Sequence, residues 1–112
     1  MTDDLPADAR RLPRSFYLQD SRTVARELIG KVLARRVGNA VLAGRIVETE
    51  AYAGACDAAS HAYRNRRTDR TDILFGAGGY AYVFLIYGLH ACMNVVAGEE
   101  NCGEGVLLRA LE

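Results

Sequence analysis

Arg45-Ile46-Val47-Glu48-Thr49-Glu50-Ala51-Tyr52 is the segment around which the rest of the chain is organised. It runs from apolar residues into two carboxylates and ends on an aromatic ring. Read as a strand, its period of two puts Glu48, Glu50 and Tyr52 on one side. Two acids beside a flat ring fit chemistry on a planar substrate, and they also fit a plain strand end that meets water. Upstream, Lys31 to Val37 reads as a strand, Gly38-Asn39 as a two-residue turn and Ala40 to Tyr52 as the return strand, stopped by Gly54. The acids therefore sit at the far end of a hairpin.

Working outward, residues 1 to 15 are polar, hold both prolines and read as a loosely held arm. Phe16 and Tyr17 pin the start of the fold. Asp20 is placed to cap a helix through Leu28, with Val24, Ala25, Leu28 and Ile29 on one face and Gly30 as its stop. Residues 55 to 73 are irregular, with a helical turn expected at Asp57 to Ala62. They carry four arginines (Arg64, Arg66, Arg67 and Arg70) against Asp69 and Asp72. Gly76, Gly78 and Gly79 read as a flexible joint and, with no Gly-Lys-Ser/Thr after them, not as a phosphate loop. Tyr80, Tyr82 and Phe84 alternate along a strand. Tyr87-Gly88-Leu89-His90 turns into a second strand, Ala91 to Val96. Five of the nine aromatics lie between Phe75 and Tyr87, which predicts a stacking surface there. A glycine-rich loop over 97–105 leads to a last strand, Val106 to Leu111. An apolar strand at the very end leads to the expectation that a C-terminal portion is missing.

Composition sets the outer bounds. A chain of 112 residues, half hydrophobic and a quarter charged, makes one ordinary globular domain or part of one. Its formal net charge is zero, so any case for nucleic acid must rest on local patches. Cys56, Cys92 and Cys102 show no Cys-x-x-Cys spacing, and His61 and His90 are the only histidines, so no metal site is expected. The cysteines read as small buried hydrophobes in a reducing compartment. No signal peptide and no apolar run of membrane-spanning length is visible, which fits the cytoplasm or a nucleoid within it.

Several side chains are candidates for chemistry. Glu50 is either a general base that activates water or a surface strand acid. Glu48 and Glu50, roughly 7 Å apart as alternate strand residues, also suit a carboxylate pair at a sugar. Arg109, inside Val-Leu-Leu-Arg-Ala-Leu, is costly to bury unless it meets an anion such as Glu50 or Glu48. Otherwise it reaches water from a sheet edge. Asn94 is a satisfied core amide or one aimed at a base edge. His61 reads most simply as a loop histidine, and Tyr52, Tyr82 and Phe84 as core. Tyr87 and Leu89 at a hairpin tip are harder to place in a core and suit a wedge that enters a stacked duplex.

Taken together, Arg45 to Tyr52, Asp57-Ala-Ala-Ser-His61, Tyr82 to His90, Met93-Asn94 and Val106 to Glu112 resemble the alkyladenine (3-methylpurine) DNA glycosylase family, from about residue 16 to the end. The resemblance implies an α+β fold on an antiparallel sheet, with a hairpin that inserts into DNA, residues 16–112 being the N-terminal portion of the glycosylase domain. It implies a monofunctional, cofactor-free, monomeric enzyme of base-excision repair that flips an alkylated or deaminated purine out of double-stranded DNA and hydrolyses its N-glycosidic bond. By that resemblance Glu50 is the base for the attacking water and Arg109 helps hold it. Tyr52, His61 and Phe84 line the base pocket, Asn94 crowds the exocyclic amine of guanine, and Tyr87 with Leu89 fills the vacated gap. Arg64, Arg66, Arg67 and Arg70 would meet the DNA. Phe84 stands where the family often has tyrosine, which keeps the stack and loses a hydroxyl contact. The lone lysine, Lys31, lies away from these motifs, which favours hydrolysis over a Schiff base. A DNA-binding module without catalysis and a sugar hydrolase remain the alternatives.

Overall fold

A computed structural model describes residues 9–54, 72–86 and 90–112, with backbone alone for residues 84–86 and 90. Its elements are α1 (Arg14–Tyr17), α2 (Ser21–Leu28), β1 (Val32–Val37), β2 (Ala40–Tyr52), a 3-10 turn (Asp72–Phe75), β3 (Ala81–Ile86), β4 (His90–Ala97) and β5 (Glu104–Leu111). The strands form one antiparallel sheet in the order β1-β2-β5-β4-β3. The fold is therefore α+β on an antiparallel sheet, as the resemblance implies. Two hairpins, β1-β2 and β3-β4, flank β5, which enters between them.

Helix α2 forms where its cap and its stripe agree. Asp20 accepts the Thr23 N–H at 3.0 Å and the Thr23 hydroxyl at 2.9 Å, and this holds its carboxyl below the ordinary range. Glu104 accepts the Ser21 N–H at 3.0 Å, a second anion at the same helix end. Ser21, Val24, Ala25 and Leu28 are buried, a 3.6-residue stripe pressed on the sheet. Gly30, at φ +88°, then turns the chain so that its N–H reaches the Ile46 carbonyl at 2.8 Å. The helix thus feeds directly into the edge of β2.

The sheet has two differently covered faces. On one, Val24, Ala25 and Leu28 of α2 meet Ile46, Ala97 and Val106, with Leu12, Phe16, Tyr17 and Val95 around them. On the other, Leu74 and Phe75 of the 3-10 turn meet Tyr82 and Val96. Val24, Val96 and Val106 are fully buried, each worth about 1.5–3 kcal/mol in removed apolar surface.

Some expectations change. Ahead of Phe16, Leu12 packs on the core, and Arg14 donates to the Gly78 carbonyl at 2.8 Å and lies over the Tyr80 ring. The expected glycine joint is a close crossing. The Gly78 N–H donates to the Gly98 carbonyl at 2.9 Å, and a Cβ on Gly78 would land on the Tyr17 carbonyl. Of the predicted stacking surface, Phe75 and Tyr82 are core, and Tyr80 lies half exposed just ahead of β3. The last strand opens at Glu104 rather than Val106. Cys102 is exposed rather than buried, and Cys92 is half-buried. The helical turn expected at 57–62, and Cys56, lie outside the described residues.

Candidate active site

Direct cross-strand partners share a face of the sheet, so the register alone builds a row. Glu50 pairs with Leu107, Leu107 with Asn94, and Asn94 with Tyr82. Tyr82 belongs to the cluster under the 3-10 turn, which puts the whole row on that face. Thr49 and Ala51 point the other way. The Thr49 hydroxyl donates to the Ala25 carbonyl of α2 at 2.8 Å, and Ala51 packs against the α2 cluster. The row grades from closed to open: Tyr82 is 5 % exposed and Asn94 4 %, whereas the Glu50 side chain is 44 % exposed.

Between β2 and β5 the ladder is broken twice. Ile46 pairs with Leu111 and Glu48 with Ala110, which leaves Val47 extra on β2. Thr49 next pairs with Leu108, which leaves Arg109 extra on β5. One extra residue on each strand cancels, and the register from Thr49 to Tyr52 runs true. A bulged residue leaves the ladder and its side chain is re-aimed. Arg109 Nη1 comes to 3.4 Å from Glu50 Oε2, and its Nε to 4.0 Å from Glu48 Oε2. Of the two options open to Arg109, the structure takes the ion pair, with the side chain still 55 % exposed.

Both oxygens of Glu50 are engaged. Oε2 faces Arg109, and Oε1 accepts the Tyr52 hydroxyl at 3.1 Å. The contacts come from opposite sides in sequence, one from two residues along β2 and one from the bulge in β5. They fix the carboxylate plane without closing it off from solvent. Glu50 and Tyr52 therefore meet as the period of two predicts, whereas Glu48, next to the bulge at Val47, joins them only through Arg109 and lines a depression beside α2 with Thr49 and Ala51.

Asn94 donates from Nδ2 to the Tyr82 carbonyl, its cross-strand partner, at 3.2 Å. It stands two strands from Glu50, roughly 10 Å at ~4.8 Å per strand, with half-buried Leu107 between. Phe84 pairs with Cys92 in the β3-β4 ladder. His61, Tyr87, Leu89, Arg64, Arg66, Arg67 and Arg70 lie outside the described residues. Among the described residues no group of three or more His, Cys, Asp or Glu could hold a metal, and no helix is long and apolar enough to cross a membrane.

Sequence reasoning missed the paired bulges and the anchor from Thr49 to α2. The signal for the first was present: Ile46 and Val47 are adjacent apolar residues, where strict alternation would place a polar one. Leu107, the residue that links acid to amide, carried no signal beyond its apolarity.

A protein of Clostridium botulinum strain Alaska E43, provisionally named a 3-methyladenine DNA glycosylase, is 56% identical over 101 residues, covering 90% of this chain and 50% of that protein. A protein of the same provisional name from strain Hall is 57% identical over 102 residues, covering 91% of this chain and 50% of its own length. The chain thus spans about half the length of the curated relatives it matches. The sequence model described as methylpurine-DNA glycosylase (MPG) matches residues 15–112. Those residues include α2, every strand and the gathering around Glu50, and the chain belongs to the methylpurine-DNA glycosylase family.

Proposed function

We propose that the chain carries the water-activating part of a DNA glycosylase site that releases alkylated purines. The observation that carries this reading is the gathering at Glu50: a half-exposed carboxylate with one oxygen on the Tyr52 hydroxyl and the other on Arg109. In the proposed step Glu50 takes a proton from water, and the water oxygen bonds to the sugar C1′. The C1′–N bond breaks with its electron pair going to the base. Positive charge grows on the sugar in that transition state, and a fixed carboxylate stabilises it as well as serving as base. A purine alkylated on a ring nitrogen carries a positive charge and leaves as a neutral base, so no acid is required. The same charge makes it electron-poor and suited to stacking on tyrosine and phenylalanine rings.

Reaching C1′ requires the nucleotide to be turned out of the duplex. In this reading Tyr52, Phe84 and His61 receive the base and Asn94 limits the pocket against guanine. Tyr87 and Leu89 occupy the gap, while Arg64, Arg66, Arg67 and Arg70 meet phosphates. Double-stranded DNA with damaged purines is the partner. Because the chain spans half of its relatives, a second reading is a DNA-binding module that does not cut the glycosidic bond.

Incubating the chain with methylated DNA and measuring free bases separates the two. Released 3-methyladenine, without strand cleavage, supports the glycosylase. Salt-sensitive binding with no release supports the module. Cleavage of a soluble oligosaccharide instead would turn the Glu48 and Glu50 pair into a sugar hydrolase site.

A further inference from the structure

We infer that Arg22 and Arg26 of α2, together with Arg109, form a second contact, a crescent on the α2 side of the sheet that takes a DNA phosphodiester and meets the Glu50 site through Arg109. It rests on the glycosylase reading. An open depression of about 550 Å³ lies between α2 and β2, lined by Arg22, Arg26 and Arg109 with Glu48, Thr49 and Val47. Three guanidinium groups meet one carboxylate there, in a chain whose formal net charge is zero. Arg109 already holds Glu48 and Glu50. Arg22 and Arg26 are exposed, and among the described residues neither is ion-paired. Of the acids nearest them in sequence, Asp20 is bonded to Thr23 and attracts Arg26 only through space, and Glu27 is bonded to the Gln19 side chain at 3.1 Å.

Placement makes these charges more than a solvated helix face. Arg22 and Arg26 are one turn apart, about 6 Å along the axis, on the flank of α2 beside buried Ala25. The hydrogen bond from Thr49 to the Ala25 carbonyl, 2.8 Å, ties that turn of the helix to the residue beside Glu50. The arginines are therefore held at a set height relative to the candidate base. A planar guanidinium meets phosphate oxygens in pairs, which Arg22 and Arg26 can do without first breaking a close ion pair. Arg109 borders both the depression and Glu50, so one residue joins phosphate placement to the reacting centre.

The test is affinity for a duplex containing a tetrahydrofuran abasic analogue, measured across salt concentrations. Arg22→Ala with Arg26→Ala keeps good helix formers in α2, and a thermal melt checks that the fold is kept. Each lost phosphate contact removes about 0.9 from the salt slope, so the double variant is expected to lower it by about 1.8. Arg22→Lys with Arg26→Lys is expected to restore most of it. A methylphosphonate beside the analogue should weaken binding by the parent chain and have no further effect on the double variant. An unchanged slope in a folded double variant overturns the inference. So does saturable binding of inorganic phosphate at these arginines with the duplex slope unaffected. Base release is read separately: a parent chain that frees no purine refutes the glycosylase reading, whereas the slope reports only on the crescent.

Discussion

Replacing Arg109 with alanine should separate stability from chemistry. Its guanidinium lies 3.4 Å from Glu50 Oε2, with side chains 55 % and 44 % exposed. At that distance Coulomb's law gives about 1.2 kcal/mol in water's dielectric, and ordering two exposed side chains reduces it to roughly 0–1 kcal/mol. The bulge keeps Arg109 out of the ladder, so its loss removes no strand pair. Stability in urea should therefore fall by no more than about 1 kcal/mol, which for a chain of this size moves Tm by roughly 4–8 °C. Single-turnover base release should fall much further, by about 10²-fold or more, as expected when a charged donor at the reacting centre is removed. Arg109→Lys keeps the charge, loses the fork, and should fall between. A loss of 3 kcal/mol or more in stability would show that the ion pair holds the sheet together. Unchanged release in a folded Arg109→Ala chain would show that the bulge does not serve the site.

Other expectations test the frame. Val106→Ala, at a fully buried position on the central strand, deletes two methyl groups and should cost about 2–3 kcal/mol in urea unfolding. Gly78→Ala should destabilise by about 1–3 kcal/mol, because the new methyl group meets the Tyr17 backbone rather than a side chain that can turn aside. Asp20 is held below the ordinary carboxylate range, chiefly by the Thr23 N–H. A lowered folded pKa gives stability that is present above the ordinary carboxylate range and lost as pH falls through the folded value. Asp20→Asn keeps a capping oxygen, so melts near pH 6 should barely change while the decline on moving to pH 3 becomes shallower.

Much of this arrangement was legible in the chain. Asp20, the stripe Val24-Ala25-Leu28 and Gly30 delimit α2 because capping and amphipathic spacing are local properties. Gly38-Asn39 marked the first hairpin for the same reason, with Gly38 supplying a φ of +60°. What lay beyond reach were features set by partners distant in sequence. The bulge at Arg109 exists only against Glu48 and Thr49, some sixty residues away. Gly78 reads as a loose joint until Tyr17 is seen against it. Tyr82 reads as core, but no local pattern shows that Leu74 and Phe75 are what bury it. The acids at 48 and 50 were found by alternation, and the arginine by its cost in an apolar strand. That the three meet depends on β5 entering between two hairpins, a topology no local pattern encodes.

The central claim is that Glu50 is the base that activates water. Its most direct test is single-turnover release of 3-methyladenine from a defined duplex by the parent chain and by Glu50→Gln. A release rate lower by about 10²–10⁴-fold in the variant, with affinity for the abasic-analogue duplex within a few-fold of the parent, is the predicted result. Release by Glu50→Gln at the parent rate would contradict it.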